Sequence, residues 1–525
     1  MSGWPEREGR GPTPVTSLLA VAVAAVFFAT TLWSLIATSM PRLINHDEYW
    51  YLAAGSLIHD GLLPYRDFHC LHMPYGMYLF AVLAWLTEHL LLAGRLLAVC
   101  CDWALLGLVF WIVRSSLVRF GGALATVAAL GAAFSVFASP LYLSQAGKAW
   151  NYPQPLLLAL GAVTLVAAAR RAPRPNWRLV FAGLLGGAAV GFRLSYVFVV
   201  PVLMAGWVVA RRTRREVIGG LAWLSMGVSL ALAAVVPLAA AAPARFLFDV
   251  VGYHRLQPLV HASQGVVAPS DLADKVQFLA VLLFVKNPQM GLALLGALAL
   301  AATRCRREWR ASDGVLWLAL AASLLLAAAV PSPSWPQYAL PVLPAAVVAA
   351  TLLLGEGVGL GRVPTARALL AVIPAVALVG IFLAPARDRP RLASRAWAAV
   401  VVHELDRSVR AYVADRTILT LAPVVALEWG ARIYPEFATG PFIWRTARFV
   451  PRHERARLAV VGPDEIESLL AVKRPDAMLL GIDQELERPL LSYAVTNGFR
   501  PVTVAAPALW ISPQLLAATP HGGPR

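Results

Sequence analysis

The sequence predicts an all-α polytopic membrane protein of about eleven transmembrane helices, followed by a small C-terminal α/β domain outside the membrane. Three observations predict this. Of 525 residues, 59% are hydrophobic and only 14% are charged, where a soluble domain carries about 25% charged residues. Long uncharged runs recur, beginning with Val15 to Met40, which is long enough to cross a bilayer as a helix. Short arginine clusters separate the runs: Arg170-Arg171-Ala172-Pro173-Arg174, Arg211-Arg212-Thr213-Arg214-Arg215 and Arg304-Cys305-Arg306-Arg307. Basic loops of that kind mark cytoplasmic connections. They account for much of the net charge of +16 and argue against a nucleic-acid partner, which would call for one continuous basic face.

The elements follow from the basic loops. The polar residues Met1 to Pro14, with Arg7 and Arg10, precede an apolar run longer than a signal-peptide core, so an uncleaved anchor with a cytoplasmic N-terminus is expected. The first span is about 15–39, and an outer loop of 41–89 follows. Further spans fall near 90–113, 121–139 and 153–169. Segment 178–210 has basic flanks on both sides, yet its 33 residues leave each arm short of the usual 20. It therefore reads as two short helices meeting near Gly191-Phe192-Arg193. The remaining spans are about 217–241, 288–303, 314–331, 337–355 and 367–384, which returns the chain to the outside. The domain boundary falls there: 1–384 in the membrane and 385–525 beyond it.

From Pro385 onward the charges become frequent and the long apolar runs stop. Ser394 to Ala414 has helical spacing, Thr417 to Leu421 reads as a strand, and Ala459 to Val461 as another. Asp464 to Lys473 reads as a capped helix and Ala477 to Leu480 as a third strand. The four cysteines give no disulfide framework: Cys100 and Cys101 lie in a span, Cys305 in a basic loop, and only Cys70 faces outward. The run Gly355 to Gly361 lacks dinucleotide-binding spacing and reads as a flexible turn.

Chemistry concentrates just after the first span. The chain emerges as Asn45-His46-Asp47-Glu48-Tyr49-Trp50-Tyr51, continues as Gly61-Leu62-Leu63-Pro64-Tyr65-Arg66-Asp67-Phe68, and reaches His72-Met73-Pro74-Tyr75-Gly76. This resembles the first outer loop of the GT-C glycosyltransferases that take sugars from a polyprenyl phosphate, in particular the family 39 protein mannosyltransferases and the aminoarabinose transferases. A second resemblance lies in Trp335-Pro336-Gln337-Tyr338-Ala339-Leu340-Pro341-Val342-Leu343-Pro344, similar to the Tyr-x-x-Pro-x-x-Pro start of a late span in that family, and the stretch Pro435 to Phe442 is similar to members with an outer domain. The resemblance implies a multi-pass enzyme of the cell (inner or plasma) membrane. It would move a sugar from a polyprenyl-phosphate donor to a lipid, glycan or protein acceptor on the outer face, with inversion, among membrane lipids and without nucleic acid.

The same resemblance assigns Asp47, with Glu48 beside it, as the catalytic carboxylates. A hydroxyl nucleophile must lose its proton as the new bond forms, and a carboxylate partly desolvated by Trp50 and Tyr51 suits that task. The plainer reading is that Asn45 or Asp47 caps the following helix, with the acids in its first turn. A leaving phosphate needs cations. The candidates for donor-phosphate or substrate binding are Arg66, Lys148, Arg193, His254, Arg255 and Tyr338, with Lys286 a weaker one. For Arg66 the alternative is a loop ion pair with Asp67. For Lys148, Arg193 and Lys286 it is snorkelling, for 246–255 an interfacial helix, and for Tyr338 an aromatic-belt anchor. Two positions depart from the family: Gln337 where relatives carry His or Arg, and Asn151 where many carry an acid. The family requires no organic cofactor and leaves a divalent metal open. His46, His69 and His72 are the ligand candidates, although their spacing matches no zinc template. The rival functions are a lipid-linked sugar flippase or transporter, which should show internal repeats, and a polysaccharide polymerase or ligase.

Overall fold

The computed structural model describes residues 14–172, 174–359, 394–404, 410, 412–502 and 508–518. It is predominantly helical. Among the described residues, five helices are long and apolar enough to cross a membrane: Leu18–Ser39, Leu90–Phe120, Pro153–Arg170, Arg214–Leu232 and Pro336–Val358. Two sharply bent helix pairs raise the number to seven. Gly122–Phe137, Trp177–Phe192, Leu194–Val209 and Asp313–Ala329 are shorter apolar helices. Helices thus occupy ten of the eleven expected spans, while the last, 367–384, lies outside the described residues. Length and apolarity alone do not reach the expected count. On the first helix Leu18, Leu19, Val21 and Val26 are each more than 60% exposed, an apolar surface that suits lipid rather than water.

Local chemistry fixes the helix ends. Asn176 accepts from the Arg178 amide at 3.1 Å to start Trp177–Phe192, and Thr213 does the same for Arg214–Leu232 through Glu216 at 3.3 Å. These two helices cross at Gly183 and Gly227. A Cβ on either would run into a carbonyl of the other helix, Leu224 or Val180, so only glycines permit the approach. As the short-arm reading of 178–210 requires, Trp177–Phe192 ends at Arg193 in extended backbone. The chain then returns through a short 3-10 turn, Leu194–Phe198, and the helix Val199–Val209. The expected span 288–303 is instead the second arm of a pair bent by 102° at Asn287-Pro288. Proline cannot donate at this point, and the buried Asn287 side chain accepts from Leu141 N (2.9 Å) and donates to Leu282 O (3.1 Å).

The C-terminal segment folds into a five-stranded sheet. The strands are β1 (Thr417–Thr420), β2 (Arg432–Ile433), β3 (Ala477–Leu480), β4 (Arg500–Pro501) and β5 (Ala508–Ile511), in the order β2-β1-β3-β5-β4. β2, β1 and β3 run parallel; β5 is antiparallel to both β3 and β4. Two of the three expected strands are present. The third, 459–461, is not a strand. Ala459 takes a left-handed conformation (φ 57°) as the cap of helix Arg452–Leu458, and Val460 N bonds back to Arg455 O, so the valines are consumed in a helix ending. Of the helix expected over 394–414, Ala398–Glu404 is helical and 405–409 lies outside the described residues.

This segment shares one buried cluster with the first outer loop: Tyr49, Trp50, Leu52 and Leu57 pack with Ala422, Val424, Val425 and Trp429. The Glu428 carboxylate accepts from the Leu91 amide at 2.7 Å, and Ala398 N donates to Met40 O at 2.9 Å. The sheet is therefore seated on the loops between the first spans.

Candidate active site

Asn45 begins the construction. Its side chain accepts from Asp47 N at 2.9 Å, and the Glu48 carboxylate returns the bond to Asn45 N at 2.9 Å, a capping box for helix His46–His59. Asn45 does the capping, so the Asp47 carboxylate is released for other work. It lies on a cavity of about 340 Å³ together with Trp50, His72, Tyr152, Arg193, His254, Tyr338 and Arg445. Burial from bulk water raises the Asp47 carboxyl above its ordinary range; Arg193, Lys148, a bond from the Trp50 side chain and Arg445 pull the other way. No cation among the described residues lies within ion-pair distance of Asp47.

Glu48 behaves differently from its neighbour. It is fully buried, and both its oxygens are taken: Oε1 by Arg95 Nε (2.9 Å) and Ala149 N (3.0 Å), Oε2 by Arg95 (2.8 Å) and Asn45 N. Burial works against its charge, but Arg95 and these amides outweigh it and hold the carboxyl below the ordinary range. The expected catalytic role for Glu48 is corrected on that ground, since it is absent from the cavity wall and has its lone pairs engaged. Arg95 also donates to Met40 O (3.0 Å) and Arg42 O (2.9 Å), clamping the turn between the first span and helix 46–59. Sequence reasoning missed Arg95, although an arginine inside the apolar run 90–117 is itself a signal.

Arg193 lines the same cavity as Asp47. Its guanidinium lies 4.0 Å from the Tyr152 ring centroid and 5.4 Å from that of Tyr338, and it donates to Asn151 Oδ1 at 3.0 Å. Asn151 is held in turn by its own bond to Phe192 O at 3.1 Å. Asparagine at 151, where an acid was expected from the resemblance, orients Arg193 without neutralising it. Lys148 sits behind this wall, over the Trp150 ring at 4.7 Å and bonded to Gln145 Oε1 at 2.8 Å. Burial, then Arg42, lowers its ammonium to about 8. The His72 and His254 rings stack at 5.0 Å, and His254 bonds to Leu71 O at 2.9 Å. Burial, then Arg193 and His254, pushes His72 well below the usual imidazole value and keeps it neutral.

The structure therefore gathers Asp47, Arg193, His254 and Tyr338 on one cavity, with Lys148 adjacent. It does not gather Arg66, Arg255 or Lys286. Arg66 makes a bidentate pair with Asp67 (2.9 and 2.7 Å) on the surface, while Arg255 and Lys286 are exposed and absent from the wall. Arg66 is spent on Asp67 in a surface turn, and Arg255 and Lys286 are exposed away from the cavity, which corrects those three assignments. The histidine candidates for a metal form no three-ligand group among the described residues, although His46 and His72 both line the cavity. His46 stacks on Tyr49 at 5.8 Å and His72 on His254, while His69 is spent on Asp249 (2.7 Å) and Ala459 O (3.2 Å). Burial opposes a charge on His69, but Asp249 prevails and raises it. The second residue that sequence reasoning missed is Arg445. It comes from the C-terminal helix Pro441–Thr446, and its Nε has no partner among the described residues.

No protein-family model matches the chain, and no curated protein matches it in sequence. Solved structures do match. ArnT from Cupriavidus metallidurans in the apo state aligns over 96% of this chain and 99% of its own, at 14% identity and a TM-score of 0.59. ArnT from the same organism bound to undecaprenyl phosphate aligns over 98% and 100%, at 15% identity and 0.58. The apo oligosaccharyltransferase of Archaeoglobus fulgidus aligns over 90% of this chain and 71% of its own, at 12% identity and 0.54. At such identities the likeness is one of fold, and the fold is the one shared with ArnT and the archaeal oligosaccharyltransferase.

Proposed function

We propose that this chain is an integral-membrane glycosyltransferase with two parts, a GT-C-like transmembrane domain (1–384) and an extracytoplasmic α/β domain (385–525). It moves a sugar from a polyprenyl-phosphate donor to an acceptor on the outer face. The observation that carries the reading is one cavity lined by both a carboxylate without an ion-pair partner among the described residues, Asp47, and an unneutralised guanidinium, Arg193. The fold likeness supports the donor class, since ArnT has been captured with undecaprenyl phosphate and the archaeal oligosaccharyltransferase with a dolichol-phosphate.

Each residue then has a role. The donor phosphate lies against Arg193, with Tyr338 offering a hydroxyl and Lys148 and Arg445 adding positive field. Asp47 takes the acceptor hydroxyl proton as that oxygen bonds to the anomeric carbon. The bond from that carbon to the phosphate oxygen breaks on the far side, and the lipid phosphate leaves with the electron pair. A single displacement of this kind inverts the anomeric centre. A raised carboxyl suits Asp47 as a base, because proton affinity rises with pKa.

The experiment is donor binding followed by transfer. Purified protein in lipid nanodiscs should bind undecaprenyl phosphate and consume one member of a panel of radiolabelled polyprenyl-phosphate sugars. Protein that binds no polyprenyl phosphate at all would sink the proposal. Reporter fusions within 211–215 and after residue 390 check the sidedness, with the first expected inside and the second outside.

A further inference from the structure

A second cluster of chemistry-bearing side chains lies outside that cavity. His89 precedes helix Leu90–Leu117, His403 is on helix Ala398–Glu404 of the C-terminal segment, and Glu428 ends helix Pro423–Glu428. Their nitrogen and carboxylate ligand atoms all lie within 4.8 Å of one another, and no other group of this kind occurs among the described residues. We propose that His89, His403 and Glu428 hold a divalent transition-metal ion of the zinc class, which fastens the C-terminal domain to the start of the second span.

The arrangement has the features such a site needs. Glu428 is 1% exposed, and its Oε1 is fixed by the Leu91 amide at 2.7 Å, which turns Oε2 toward His403 Nδ1 at 2.8 Å. Orientation of a ligating carboxylate by a backbone donor is typical support for a metal ligand. The His89 and His403 ring centroids are 3.7 Å apart. Two imidazoles held that close repel if both are protonated, whereas both serve a shared cation when neutral. Two imidazoles and one carboxylate form a three-ligand set of the zinc type, with a fourth position left for water. The exposed His89 lies on the side where water would enter.

Binding requires modest movement. Ligand atoms around tetrahedral zinc sit about 2.0–2.2 Å from the ion and hence about 3.3 Å from each other. The ion takes the place of the hydrogen bond between His403 Nδ1 and Glu428 Oε2, whose 2.8 Å separation opens to that spacing, while the exposed His89 closes in from within 4.8 Å. The nearest arginine does not block the site, because Arg410 is paired with Glu88 at 3.0 Å. The three residues come from both parts of the chain, so the ion would join them as one cross-link.

The test uses the full chain purified in detergent, stripped with chelator and titrated with Zn²⁺, with Co²⁺ as a spectroscopic probe. One ion per chain is expected, with the visible absorption of a tetrahedral Co²⁺ centre. His89→Ala, which alters an exposed side chain, and His403→Ala should each weaken binding at least about tenfold. Chelator should lower the unfolding midpoint of the wild-type chain and leave that of His89→Ala unchanged. Unaltered zinc affinity in both variants, or no binding by the wild-type chain, overturns the proposal.

Discussion

Two regions of this molecule are rich in arginine, and they differ in what the arginines face. At the end bearing the basic loops, Arg170 and Arg171 share Asp313, while Arg304 is paired with Glu356 at 2.6 Å and also reaches Leu353 O at 2.9 Å. Two cavities of about 500 and 680 Å³ open there, both larger than the one holding Asp47. Among the described residues, Arg193 in the smaller cavity has only an amide oxygen and two rings for partners, and Asp47 has no cation within ion-pair reach. A paired charge is already satisfied by the protein; an unpaired buried one is costly until a ligand arrives. Size and charge count favour the end with the basic loops. Pairing separates the two.

The comparison can be broken, beginning with its largest expected effect. Asp47→Asn preserves shape and cannot accept a proton, so transfer should fall about 10²–10⁴-fold while polyprenyl-phosphate binding survives. Near-normal turnover would remove Asp47 from the chemistry. The wild-type rate should also have an acid limb: the raised carboxyl protonates at a higher pH than the ordinary value of about 4, and activity is lost as pH falls through that point. The limb should be absent from the residual activity of Asp47→Asn.

Arg193→Gln comes next, with an expected loss of about 10²–10³-fold, the scale for one removed donor to a developing charge. Arg193→Lys should recover part of it, since the charge returns without the planar fork. Equal losses in both, together with poor expression, would reassign Arg193 to structure. Glu48→Gln should act on stability instead. It breaks a buried pair with Arg95, at a cost of about 3–5 kcal/mol, read as a lower unfolding midpoint, while the folded fraction retains turnover. The smallest effect belongs to the other region. Arg304→Gln should cost about 1–3 kcal/mol of stability for the bonds left unmade and leave transfer rates within about twofold, measured in the same assay.

Much of this architecture was legible because membrane physics is one-dimensional. Apolar length and arginine placement located helices at ten of the expected spans, and the two basic flanks of 178–210 led to the turn at Arg193. The Asp-Glu pair drew attention to helix His46–His59, but adjacency hid that one carboxylate lines the cavity and the other is paired with Arg95. Which carboxylate faces the cavity depends on Arg95, 47 residues away along the chain. Arg445 left no local trace, because its relevance arises only when the sheet docks on the outer loops. Val460 and Val461 misled for the opposite reason: β-branched residues favour a strand only where a neighbouring strand is available, and here a helix ending took them first.

The glycine crossing at Gly183 and Gly227 has a mechanical meaning. It acts as a fulcrum, and the ten residues from Gly183 to Arg193 form an arm of about 15 Å. A methyl group added at the fulcrum must either part the helices or tilt the arm, and tilting carries the guanidinium at its tip sideways. Misplacement by about 1 Å at a reacting centre can cost a hundredfold in rate. The alignment of this cavity is thus governed in part by two hydrogen atoms deep among the spans, where no substrate ever goes.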